Sequence, residues 1–138
     1  MATTQRPSGP SASDNRPLIL GFGDSLTAGF GVPREGGYPD QLQQTLDQRG
    51  CRYHVVNMGI SGDTTSGGIA RLKAGVDLKP SFVILELGAN DGLRGLPVKE
   101  TRSNLEEMIT AFQKTGATVV LAGMTLPRNY GATYVHAF

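Results

Sequence analysis

Phe82-Val83-Ile84-Leu85 is an unbroken apolar run between Ser81 and Glu86, with no polar residue alternating into it. A continuous run of this kind suits a strand covered on both faces, as in a parallel sheet between two layers of helices. Downstream, Val98–Lys114 reads as the longest helix, because Leu105, Met108, Ile109 and Phe112 follow the 3.6-residue period. Gly116 ends that helix, and Thr118-Val119-Val120-Leu121-Ala122 follows as a strand. Asn129–Phe138 begins another helix. Upstream, Thr64–Lys73 is expected to be one helix despite Gly67-Gly68, with Ile69 and Leu72 facing inward. A strand is expected from Cys51 to Met58, centred on Val55-Val56. Tyr38 to Arg49 reads as a helix, with Pro39 in its first turn, Leu42 and Leu46 on one face and Gly50 as its stop. Leu18-Ile19-Leu20-Gly21-Phe22, ended by Gly23, is a buried first strand. Strands and helices therefore alternate, which predicts an α/β fold with a parallel sheet and helices on both faces.

The chain has 138 residues, enough for one small domain, with 38% hydrophobic and 18% charged residues. Thirteen Lys+Arg against twelve Asp+Glu leave a net charge of +1, which argues against nucleic acid as a partner. No apolar run approaches the roughly 18 residues of a spanning helix, so no transmembrane segment is expected. The single cysteine, Cys51, rules out an internal disulfide; beside Arg52, it reads as a small strand residue. Residues 1–16, rich in Ser, Thr, Pro and Gly, read as a disordered leader, and residues 17–138 as the domain. The leader lacks the apolar stretch of a secretory signal, so the cytoplasm is the default compartment, with periplasm or secretion left open. Nineteen glycines are about twice the usual share, and many lie between apolar runs, where a backbone turns tightly or approaches a ligand.

In parallel α/β sheets ligands bind beyond the carboxyl ends of the strands, and here three Gly-rich loops follow three strands. The first runs from Gly21 to Gly31. It fails the G-x-G-x-x-G pattern at Leu26 and lacks the Gly-Lys-Ser/Thr ending of a P-loop. Thr27 also breaks the G-x-S-x-G nucleophile elbow. What remains is Ser25 just past a strand, at a helix start where negative charge is favoured and backbone N–H groups are free. The alternative is that Ser25 is simply a helix N-cap. The second loop, Asn57 to Thr65, contains Gly62, whose backbone N–H is unhindered, and Asp63 or Thr64 as a cap for the next helix. The third, Glu86 to Gly92, places the Asn90 amide at the mouth of the strongest strand. A side-chain amide, a glycine N–H and the serine's own N–H can together hold an oxyanion. Arg34, Arg71 and Arg94 read as solvated or helix-end charges, and Glu86 as a carboxylate bonded to nearby backbone donors.

Taken in order, GFGDSLTAGFG, NMGISGDTT and ELGANDGLRG resemble the first three sequence blocks of the GDSL or SGNH hydrolases, in the bacterial arylesterase, lysophospholipase and acyl-thioesterase branch. MTLPRNYG also resembles that branch's loop after its fourth strand. The resemblance implies a flavodoxin-like three-layer α/β/α fold and a serine ester hydrolase that works without a cofactor or metal. It implies Ser25 as nucleophile, Gly62 and Asn90 as oxyanion-hole donors, and Asp24 and Asp91 as orienting residues. The implied substrate is a small-molecule acyl ester or thioester.

The family's last block, Asp-x-x-His, supplies the general base and its carboxylate, and this sequence contains no such motif. Its two histidines, His54 and His136, stand elsewhere: His54 early in a strand, His136 on the final helix-like stretch. The expectation is therefore a chain truncated at its C-terminus, lacking the fold's last strand and helix. The alternative function is an inactive fragment or binding module that self-associates through an exposed fourth strand.

Overall fold

Leu18–Gly23 forms β1, and all six of its residues are buried. In the computed structural model, which describes residues 14–138, β1 is flanked by β2 (His54–Gly59) and β3 (Phe82–Glu86), with β4 (Thr118–Leu121) beyond β3. All pairs are parallel, with Leu18 opposite His54 and Gly23 opposite both Gly59 and Glu86. The order β2-β1-β3-β4 makes β1 central, which is why it has no polar face.

Among the described residues six α-helices lie between these strands, α1 (Ser25–Ala28), α2 (Tyr38–Gln48), α3 (Thr65–Ala70), α4 (Leu72–Asp77), α5 (Ala89–Leu93) and α6 (Val98–Lys114), and α7 (Ala132–Ala137) follows β4. Leu18, Leu20 and Phe22 of β1 join Val56, Val83 and Leu85 in one core with Leu72, Met108 and Phe112. That core fixes α4 and α6 to one face of the sheet, and Phe112 meets Phe22 edge to face at 5.4 Å. On the opposite face Gly21 lies under Tyr38 and Pro39 of α2: a Cβ there would be 3.1 Å from the Tyr38 hydroxyl.

The sequence places most elements correctly, and the differences have local causes. The helix expected over Thr64–Lys73 is two helices meeting at Arg71, which is the C-cap of α3 and the N-cap of α4. Cys51 is not in a strand: α2 ends in a Schellman turn, with Gly50 at φ +72 and the Cys51 N–H donating to Leu46 O at 2.9 Å. β2 accordingly starts only at His54. The helix expected near Asn129–Phe138 is a 3-10 turn, Arg128–Tyr130, followed by α7.

The leader expectation falls largely on residues outside those described. Asp14 and Arg16, its last part, ion-pair at 2.7 Å, and Asp14 also bonds to His54 Nδ1. Arg16 first, then His54, hold the Asp14 carboxyl well below the usual carboxylate range. Among the described residues no helix is long and apolar enough to cross a membrane.

Candidate active site

The sequence-predicted residues all lie at the carboxyl ends of β1, β2 and β3, on adjacent loops. Asp24, 1% exposed, follows β1 and caps α1: its Oδ1 accepts the Leu26 N–H at 3.1 Å. Ser25 is therefore the first residue of α1 and not its cap. The turn is pressed against β2, since a Cβ at Gly59 would come within 2.2 Å of the Ala28 backbone nitrogen. Ile60 N–H also donates to Gly23 O at 3.0 Å, tying the second loop to the first.

Gly62 is exposed, with φ +82, a backbone conformation that favours glycine. Asn90, in the first turn of α5, donates one amide hydrogen to Asp63 O at 2.8 Å. A side-chain amide has two donors, so the other stays available. Among the hydrogen bonds of the described residues, none uses Ser25 N–H or Gly62 N–H. Each of three neighbouring loops thus carries a donor with no partner among these hydrogen bonds: Ser25 N–H, Gly62 N–H and one Asn90 amide hydrogen.

Asp91 faces away from this mouth. Its carboxylate, 3% exposed, accepts Thr65 N–H (2.8 Å), Thr65 Oγ1–H (2.6 Å) and Thr101 Oγ1–H (3.0 Å), joining α3, α5 and α6. Asp91→Ala strands three buried donors, and we expect a loss of about 2–3 kcal/mol in urea unfolding. A loss under half that would show that the threonines find other partners.

Arg71 is not solvated. Its guanidinium donates through Nε to Asp63 Oδ2 (2.8 Å), through Nη1 to Met58 O (2.5 Å) and through Nη2 to Gly23 O (2.8 Å). It also lies 4.4 Å over the Phe22 ring. One side chain therefore clamps the ends of β1 and β2 to the loop that carries Gly62. The sequence carries no local sign of this, because Gly23 is 48 residues away. Asp63 is spent on that clamp, and the cap of α3 is Thr64, which accepts Gly67 N–H.

The two histidines lie on β2 and α7. His54 opens β2, and five strand residues at about 3.3 Å each put it roughly 16 Å from the carboxyl end. His136 is exposed on α7, and among the described residues no hydrogen bond links it to Ser25. Asp24 and Asp91 have separate partners, and among the described residues no three His, Cys, Asp or Glu side chains gather where a metal would bind.

A parallel α/β sheet with a serine turn and two donor loops at its carboxyl edge defines a class of α/β protein whose chemistry lies at that edge. The sequence profile of the GDSL-like Lipase/Acylhydrolase family matches residues 22–137, and the chain belongs to that family. It is 45% identical over 121 residues to the Esterase TesA of Pseudomonas aeruginosa, covering 87% of this chain and 60% of that protein. It is 44% identical over 129 residues to an Arylesterase of Vibrio mimicus, covering 93% of this chain and 64% of that one. The crystal structure of AlinE4, described as a SGNH-hydrolase family esterase, superposes with a TM-score of 0.84 at 41% identity, covering 90% of this chain and 67% of AlinE4. The chain thus spans about three fifths of the length of these curated relatives.

Proposed function

We propose that this domain provides the nucleophile and oxyanion hole of a serine ester hydrolase acting on small acyl esters or thioesters. The observation that supports it most is the set of unspent donors on the loops at the carboxyl ends of β1, β2 and β3: Ser25 N–H, Gly62 N–H and the second Asn90 amide hydrogen. Ser25 Oγ attacks the acyl carbonyl, and the carbonyl oxygen takes the negative charge. The three donors stabilise that charge where it develops, which favours the transition state over the ground state. Collapse of the tetrahedral intermediate expels the alcohol or thiol and leaves an acyl-serine, which water then hydrolyses. The Ser25 proton goes to a general base of the Asp-x-x-His kind that the family resemblance implies, a motif to which neither His54 nor His136 belongs.

The test compares the 138-residue chain with the same chain extended by an Asp-x-x-His segment from a relative, each beside its Ser25→Ala variant. Hydrolysis of p-nitrophenyl acetate and butyrate is expected in the extended form and lost in its Ser25→Ala variant. Equal rates with and without Ser25 would end the nucleophile assignment. Activity in the unextended chain that depends on Ser25 would make His136 the next residue to replace.

A second reading, a non-catalytic module that self-associates, is favoured by one observation. Among the described residues β4 pairs on one side only, and Val120 and Leu121 are 53% and 49% exposed. Strand edges of this kind pair with other chains. Gel filtration at micromolar concentration separates the readings, since a clean monomer removes the edge-pairing version.

A further inference from the structure

Beneath the Ser25 turn lie two buried carboxyl groups, Asp24 at 1% and Glu86 at 4% exposure. The Asp24 backbone N–H approaches both Glu86 O (3.2 Å) and Glu86 Oε1 (3.3 Å), so the two residues are in direct contact. Thr27 Oγ1–H donates to the same Oε1 at 2.9 Å, and Tyr38 OH in turn bonds to Thr27 Oγ1 at 3.1 Å. Each carboxyl keeps one oxygen with no partner: Asp24 Oδ2 and Glu86 Oε2. Orphaned buried carboxylate oxygens are costly, and two adjoining like charges cannot both ionise in a dry site. No ion pair among the described residues reaches either group. Arg71, which bonds to Gly23 O, directs its three hydrogen bonds to Asp63, Met58 and Gly23. Among the described residues Tyr38 also reaches the pair through Thr27, and burial keeps it protonated, while Leu121 of β4 and the following Ala122 lie alongside β3.

A single proton resolves every one of these conflicts. We propose that Glu86 is held as a neutral carboxylic acid whose Oε2–H donates to Asp24 Oδ2, and that this proton-bridged pair is a positioning element for the Ser25 turn. Asp24 Oδ1 is then left to cap α1 through Leu26, and Glu86 Oε1 to receive Thr27 and the Asp24 N–H. The consequence for Ser25 rests on its reading as the nucleophile, but the existence of the bridge does not. Consistent with it, burial first and the Asp24 contact second push the Glu86 pKa from 4.5 up to about 7.

The sign of the pH effect follows. In the unfolded chain Glu86 ionises near its ordinary value, while the folded chain keeps the proton to about pH 7. The native state binds more protons across that window, so stability falls as pH rises through it and levels off above. Glu86→Gln is the decisive variant, because its amide reproduces the neutral acid: Oε1 accepts and Nε2–H donates to Asp24 Oδ2. Thermal unfolding of the 138-residue chain should give similar Tm values for wild type and Glu86→Gln near pH 5. The variant should become progressively the more stable toward pH 8. In carbon-13 NMR, the Glu86 carboxyl, assigned by its loss in that variant, should titrate near neutrality. Asp24→Asn, which offers its own N–H to Oε2, should lower that midpoint. Amide exchange at Leu26 and Ala28 should accelerate at least tenfold in Glu86→Ala and return to normal in Glu86→Gln. Parallel Tm–pH curves, a Glu86 carboxyl already ionised at pH 5, or a Glu86→Gln chain that does not fold would each overturn the bridge. Unchanged exchange in Glu86→Ala would remove its positioning role. None of these readouts uses ester hydrolysis, so they stand apart from the fate of the nucleophile assignment.

Discussion

Asn90→Ala is expected to lower kcat for p-nitrophenyl butyrate about 10²–10³-fold, close to 3–4 kcal/mol in the barrier, while leaving KM nearly unchanged. The measurement belongs in the chain extended by an Asp-x-x-His segment, where proton transfer is provided. The split between the two constants carries the meaning. An oxyanion donor strengthens its bond as charge develops, so its removal appears in kcat. Asn90 also anchors the second loop through Asp63 O at 2.8 Å, and a purely anchoring role would disturb substrate binding as well. A raised KM with kcat intact would make Asn90 a loop anchor and leave the oxyanion hole without its side-chain member.

Arg71→Ala should cost about 3–5 kcal/mol in urea unfolding, because it breaks a largely buried pair and leaves one charge behind. The side chains of Arg71 and Asp63 are 15% and 12% exposed. Removing the guanidinium leaves Asp63 with only the Thr64 N–H and Gly23 O with only the Ile60 N–H, takes the side-chain donor from Met58 O, and uncovers the Phe22 ring. Arg71→Lys is expected to recover only part of the loss. An ammonium is a compact charge on a flexible stem and cannot bridge those acceptors while stacking flat on an aromatic face. Full recovery by lysine would reduce the clamp to a simple charge pair. A loss below 1 kcal/mol would leave Arg71 as no more than the solvated or helix-end charge its sequence context suggests.

These two residues show how unevenly the site can be read from sequence. Asn90 is legible because it lies in a Gly-rich loop directly after an apolar strand, a context in which an amide has an obvious chemical use. Ser25 and Gly62 are legible for the same reason. Arg71 is not, because its partners come from two separate stretches, Phe22-Gly23 and Met58 to Asp63, and only the parallel crossover connections bring them together. Asp24 and Glu86 fall between. Their motifs mark them as residues of the loops, but their contact depends on β1 and β3 being neighbours in register, with Gly23 opposite Glu86. Local pattern also misses the break in the helix expected over Thr64–Lys73. A helical period continues smoothly through Arg71, and it is the tertiary demand on its guanidinium that coincides with the break.

By itself, the sequence determined the alternation of strands and helices, the parallel sheet and the set of loops that meet at its carboxyl edge. It could do so because apolar periodicity, capping residues and turn glycines act over a few residues. The tertiary structure alone decided the strand order β2-β1-β3-β4, the clamp made by Arg71 and the burial of two carboxyl groups under one serine turn. Those features depend on desolvation and on contacts between residues 48 to 62 positions apart, and no local pattern encodes them.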